Sequence, residues 1–313
     1  MPLENTTKSD LLLVLVTLLA ALGWILSREA VSVMPPLLFM SVRFILASAI
    51  LGFFARRQLP VLGVAALARS LRVGAVFGIA MSLWVVGLKQ STHVGEAAFI
   101  ASLGVIMVPL IARVFFSEAI PLYTWLAMPF AVTGLGFLSL SHGLRLESAQ
   151  LLLLASAAIF ALYFNLNTRA ANSQFSTLDN GETHETERIP VLALTTVVLG
   201  CVGMITGLLS LLLEPWAPTL REASPIIAFW IVASALISTA LRFLVQTYAQ
   251  SMTRHSNGVV IMVLEPVWVA IIAVFWFSES MTDSQLIGCA LIFLSLLVNR
   301  LKVLAGLFRR RAR

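Results

Sequence analysis

The sequence predicts an all-α polytopic membrane protein whose ten transmembrane helices form two inverted five-helix repeats around a central cavity. Three observations carry that expectation. The 313-residue chain is 59% hydrophobic and 12% charged, with a mean hydropathy of +0.95, which leaves too little polar surface for a water-soluble globule. Apolar runs of bilayer-spanning length recur between hydrophilic breaks. Two helix exits also echo each other at an offset of 161 residues. IARVFFSE (111–118) and IAVFWFSE (272–279) match at Ile, Ala, the second Phe, Ser and Glu.

In chain order, the first five spans are expected at 11–31, 35–54, 70–88, 94–116 and 122–141. The first begins after Lys8 and lacks a small-residue cleavage site, so it reads as a retained helix. After the break HGLRLES, five more spans are expected at 149–168, 189–213, 225–249, 256–277 and 282–304. Residues 1–145 and 146–304 thus form the two repeats, and 305–313 form a basic tail ending RRRAR, a topology signal suited to anionic lipid. The polar insertion 171–188 (ANSQFSTLDNGETHETER) has no apolar period and reads as a mobile loop inside the second repeat.

Placement of Lys and Arg sets the orientation. With the N-terminus inside, the cytoplasmic segments collect most of the 21 basic residues, among them Arg56, Arg57, Arg69, Arg72, Arg188 and the tail. The outer loops hold only Arg28, Lys89, Arg145 and Arg221, and Arg43, Arg113 and Arg242 fall within helices. Both termini are therefore expected in the cytoplasm, at the cytoplasmic (inner) membrane. The net charge of +6 is accounted for by topology, so no nucleic-acid partner is expected. Cys201 and Cys289 lie in apolar runs without metal or redox spacing and read as packing residues. Neither a metal nor any cofactor is expected.

Five helices per repeat is an odd number, so the copies insert with opposite orientation. Inverted repeats of this kind characterise secondary transporters, whose substrate site lies near the midplane. In the stretch 257–279 an acid, Glu265, sits roughly 13 Å along a helix that spans about 30 Å. A carboxylate at that depth marks a pathway or is locked to a neighbouring helix. Pro266 withdraws the N–H that would bond the carbonyl of Met262 and favours a kink. The offset sets Gly104 opposite Glu265, so the buried acid is expected in the second copy only. Helical spacing puts Gly258, Met262, Glu265, Trp268 and Ile272 on one expected cavity face. Arg242, at comparable depth, is a candidate partner for Glu265. Arg43 offers five donors to a carboxylate substrate, or snorkels, or bonds helix carbonyls. Trp24, Trp84, Tyr163 and Trp268 are candidate pocket walls. Asn165, Asn167, Gln246 and Tyr248 add hydrogen-bonding capacity, for a ligand or as glue between helices.

These residues resemble the ten-helix EamA-type transporters of the drug/metabolite transporter superfamily. The resemblance rests on the exits FFSE and FWFSE, on LEPVWVAIIAV, GWILSRE, SVRF and QLIGCALIF, in order over nearly the whole chain. It implies a basket of two five-helix units that moves a small organic metabolite, such as an amino acid, across a cytoplasmic membrane by alternating access, often outward. A nucleotide-sugar or drug substrate on the same scaffold is the alternative, and a non-transporting scaffold or receptor is a third. One departure concerns the hinges. The family's first repeat commonly has a proline just after the Gly104 position, whereas here Val105 follows and the proline comes at Pro109. Pro109 and Pro266 are the hinge candidates, and Glu265 the proton-coupling candidate. Membrane lipid, the substrate and protons are the expected partners of a monomer or homodimer. No HExxH, GxSxG or Walker motif is present, and no enzymatic activity is expected.

Overall fold

A computed structural model of the chain describes residues 3–117, 122–139, 147–172, 174–177, 183–186, 188–216, 225–252, 264–278 and 281–298. It is a helical bundle. The helices are α1 (Leu3–Val33), α2 (Pro36–Ala55), α3 (Val64–Gln90), α4 (Val94–Ser102), α5 (Gly104–Phe116), α6 (Leu122–Ser139), α7 (Ser148–Ala171) and α8 (Val191–Leu213). They continue as α9 (Pro225–Ala233), a π-helical stretch (Ser234–Leu241), α10 (Arg242–Ser251), α11 (Leu264–Phe277) and α12 (Asp283–Val298). Among the described residues, seven helical segments are long and apolar enough to cross a membrane, and three shorter apolar helices lie at Trp125–Gly134, Leu264–Phe277 and Leu286–Ser295. Large apolar side chains such as Val114, Leu212 and Phe275 stand exposed around the bundle, as a lipid-facing surface requires.

Small residues bring the helices together. On α8, Gly200, Gly203 and Gly207 face Ser48, Ile45 and Ser41 of α2, and Ser41 and Ser48 donate to the carbonyls of Gly203 and Thr196, each at 2.9 Å. Such close approach replaces the hydrophobic drive that lipid does not supply between helices. α6 and α12 are similarly close at Gly134, which abuts the carbonyl of Gly288. Elsewhere α3 packs along α7 and α8, α5 along α7, and α1 along α10 and α11, with α11 also against α4. Several helix ends are closed by neighbouring elements, while α7 carries its own capping box between Glu147 and Gln150. Both Glu214 oxygens accept the first free N–H groups of α2, at Leu37 and Leu38, 2.9 Å each, and Arg28 and Lys89 donate to the terminal carbonyls of Leu88 and Val31.

Four features depart from the sequence expectation. The segment 171–188 is not simply a loop, because Gln174–Thr177 and Thr183–Thr186 (β1 and β2) pair as an antiparallel hairpin. Five residues, 178–182, separate the strands and include Gly181, a sequence signal for a hairpin with a longer connection. The fourth span is two helices, broken at Leu103 rather than at Pro109, which lies inside α5. Gly104 follows the break and lies against α7, where an added Cβ would meet the carbonyl of Ala157 at 3.0 Å. The eighth span is interrupted by eight residues of π-helix, a wider winding often found at functional sites. On α11 the buried residues are Pro266, Val269 and Ala273, one position round from the expected face, so Glu265, Trp268 and Ile272 are half-buried at its edge. Met262, Gly258, Glu118, Glu279 and the 305–313 tail lie outside the described residues.

The two matching helix exits share a backbone detail. Ser117 and Ser278, 161 residues apart, are the two non-glycine residues with positive φ among those described, at 54° and 52°. Each closes its helix in the left-handed conformation that frees the chain to turn away.

Candidate functional site

A cavity of about 100 Å³ opens between α1, α2, α3, α4, α5, α7, the π stretch, α10 and α11, on a measure in which one water needs about 10–15 Å³. Small residues make the room: Ala20 and Gly23 of α1, Ala98, Ala101 and Ser102 of α4, Gly104 of α5, Ala157 of α7. Aromatic and aliphatic side chains, among them Met81, Phe160, Phe164 and Phe243, complete the wall. Gly104 and Glu265, the positions related by the 161-residue offset, both line it.

Five of the expected site residues converge here, namely Trp24, Arg43, Trp84, Arg242 and Glu265, together with Pro266. Glu265 accepts from Trp24 Nε1 at 2.9 Å through Oε1, and its Oε2 lies 3.6 Å from Arg242 Nη2. Trp24 meets Trp84 edge to face with centroids 4.9 Å apart. The charge pair anticipated from sequence depth is therefore present, with an indole donor holding the carboxylate from its other side.

The two arginines are held differently. Arg43 is 4% exposed. Its Nε bonds Thr239 Oγ1, Nη1 bonds Ser27 Oγ at 2.7 Å, and Nη2 bonds Ser238 Oγ and carbonyl at 3.2 and 3.3 Å. The rings of Phe39 and Phe44 lie 5.6 and 5.5 Å from its Cζ. The π stretch is what turns Ser238 and Thr239 toward α2 together. Arg242, by contrast, makes among the described residues only the ion pair with Glu265 and a contact with the Phe243 ring, 4.4 Å from Cζ, and its Nε is buried with no hydrogen-bond partner there.

Other expected site residues lie elsewhere. Tyr163 stacks on Phe77 at 4.0 Å, in an aromatic core behind the cavity. Asn165 bonds the carbonyls of Val108 and Ala161 at 3.0 and 2.9 Å, which ties α7 to α5. Asn167 bonds Gln250 at 2.6 Å, and Tyr248 is exposed. Gln246 is wholly buried one turn beyond Arg242, and neither end of its amide has a partner among the described residues. Trp268 Nε1 is also unpartnered. Pro109 lies off the cavity wall. Sequence reasoning did not single out Ser238, Ser102, Phe160, Phe164 or Met81, and no local signal separates them from packing residues. The small-residue spacing Ala97, Ala98, Ala101, Gly104 is the one hint the chain offers.

The first repeat also carries a buried acid, against the expectation that only the second does. Glu96, in the first turn of α4, is 5% exposed and accepts from Gln150 Nε2 at 2.6 Å. It sits two turns before Gly104 and away from the cavity wall.

A polytopic bundle enclosing a charged, aromatic-walled cavity defines a membrane protein of the transporter class. The EamA-like transporter family model matches residues 7–140 and again residues 147–301, and the chain belongs to that family. It is 25% identical over 295 residues to an uncharacterized transporter of Archaeoglobus fulgidus, across 94% of this chain and 86% of the other. A second uncharacterized transporter of that organism is 25% identical over 225 residues, covering 72% and 73%. A protein crystal structure superposes with a TM-score of 0.62 at 19% identity, covering 98% of this chain and 99% of that one, which speaks to fold alone.

Proposed function

We propose that this protein is a secondary transporter that carries a small organic metabolite, an amino acid or a related compound, outward across the cytoplasmic membrane by alternating access. The observation that carries the reading is the cavity itself. It is walled by both family-matched halves, and Gly104 and Glu265, equivalent positions of those halves, meet at it. In this reading ten spans form two inverted repeats, 1–145 and 146–304, with both termini cytoplasmic. The paired left-handed serines and the pairing of α2 with α8 and α6 with α12 support a duplicated, antiparallel arrangement. Rocking of one half against the other, about the breaks near Leu103 and Pro266, exposes the cavity to each side in turn. Glu265 exchanges a proton during that cycle.

Flux into liposomes over a metabolite panel, with and without a pH gradient, tests this. Wild-type protein is expected to respond to the gradient and Glu265→Gln to lose the response. Proton-dependent flux that survives the substitution would end the role given to Glu265, and absence of flux for every compound would end the transport reading.

A further inference from the structure

Arg242 is the least satisfied charged group in the cavity. A guanidinium offers five N–H donors, yet Arg242 donates no hydrogen bond to a described residue: Nε is buried and bare, and the ion-pair distance to Glu265 Oε2, 3.6 Å, exceeds hydrogen-bond range. Arg43 is the reverse case, with each of its three nitrogens bonded to the protein and no ion pair among the described residues. The cavity thus holds two cations and one carboxylate inside a wall that is otherwise mostly Ala, Val, Phe and Trp. An unbalanced cation at that depth is costly, and an entering anion relieves the cost.

We propose, building on the transport reading above but narrowing its substrate from amino acids to related compounds without an ammonium, that the substrate is a net-anionic carboxylate with a small apolar or aromatic body, and that it displaces Glu265 from Arg242. In the empty state the Glu265 carboxylate pairs with Arg242 and accepts from Trp24. A proton from the aqueous phase on the open side binds Glu265 Oε2. The freed guanidinium then takes the substrate carboxylate as a two-toothed partner, the geometry its planar fork is built for. On the other side the anion leaves and Glu265 returns the proton to water. One proton and one anion move together, so the cavity has the same charge empty and loaded. A substrate ammonium is disfavoured, because it would face two guanidiniums while the single acid is neutral.

The other charged groups on elements packed against α11 are already engaged or distant. Arg28 of α1 bonds the Leu88 carbonyl, Glu29 accepts from Trp276, Glu96 of α4 accepts from Gln150, and His93 lies at the start of α4. Arg43, from α2, is the one further charge on the cavity wall.

The test uses full-length protein in detergent, titrated by tryptophan fluorescence with propionate and phenylacetate, each beside its amide, amine and amino-acid analogue, between about pH 5.5 and about pH 8. The carboxylates are expected to bind, and to bind more weakly as the pH rises across this range, with one proton taken up per ligand. Glu265→Gln should bind them without pH dependence or proton uptake. Arg242→Gln/Glu265→Gln, which strands neither charge, should keep wild-type helix content and lose the carboxylates. Preference for an amine, amide or amino acid overturns the proposal. So do pH-independent binding to wild type, carboxylate binding by the double variant, and absence of binding by every probe. In proteoliposomes, carboxylate flux indifferent to a potassium-diffusion potential upholds it. Binding without flux overturns the transport reading and upholds the ligand class, whereas flux of amines or amino acids alone overturns the ligand class and upholds transport.

Discussion

A guanidinium buried in a membrane protein must find partners for its donors or sit beside a space that supplies them. Arg43 takes the first course, joining α1 through Ser27 and the π stretch through Ser238 and Thr239. Arg43→Lys keeps the charge but replaces the planar fork with a single point, so it cannot reach all three hydroxyls. The expected cost is about 2–4 kcal/mol, read as a lower midpoint in chemical unfolding from detergent, with carboxylate binding changed only a few-fold. Arg242→Lys should do the opposite. It gives up no hydrogen bond to a described residue, so stability stays within about 1 kcal/mol, while carboxylate affinity falls by about tenfold or more through loss of the two-toothed contact. If the two variants behave alike, the division of duties between the arginines is wrong.

Among the elements, the α2–α8 seam and the π stretch carry most of the positioning. An added Cβ at Gly203 would meet the Ile45 nitrogen at 2.9 Å and its Cγ1 at 2.7 Å. Backbone cannot yield there as a side chain would, so Gly203→Ala is expected to push the helices apart, weaken the Ser41 bond to the Gly203 carbonyl and cost about 1–3 kcal/mol. Gly52 on the same seam is the control, because its Cβ would touch only Thr196 Cγ2 at 3.5 Å. Gly52→Ala should be neutral or stabilise by up to about 1 kcal/mol. The same unfolding titration reads both. In the π stretch, deleting the half-exposed Leu236 removes the extra residue and restores ordinary winding, so the helix beyond it keeps its facing while Ser238 and Thr239 no longer both reach Arg43. The unfolding midpoint should fall as it does in Arg43→Lys, while carboxylate binding changes only a few-fold and circular dichroism stays helical.

For the whole molecule, the proposed inverted arrangement makes a topological prediction. Ser117 and Ser278 are both exposed, with the same left-handed backbone, yet inverted copies place them on opposite membrane faces. In a background with Cys201 and Cys289 replaced by Ala, a membrane-impermeant maleimide should label Ser278→Cys on intact cells and Ser117→Cys only after permeabilisation. Labelling of both from one side would overturn the inversion, whatever the cavity binds.

The sequence by itself determined the helical class and the positions of most spans, because lipid leaves the backbone of an apolar run of about 20 residues no partners but its own. It also identified Glu265, since a lone acid inside such a run is conspicuous whatever surrounds it. Arg43 and Arg242 were equally visible, yet nothing local could rank them. The acceptors that tie down Arg43 at Thr239 and Ser238 are 196 and 195 residues away, and they reach α2 only because the eighth span winds wide before Arg242. The break at Leu103 and the shift of the buried face of α11 are likewise settled by neighbours, the first by the approach of Gly104 to α7 and the second by the packing of Pro266. Tertiary structure alone decided which guanidinium is hydrogen-bonded into the fold and which lines the cavity without a hydrogen bond to a described residue, because a hydrogen bond's partner is a fact of three dimensions.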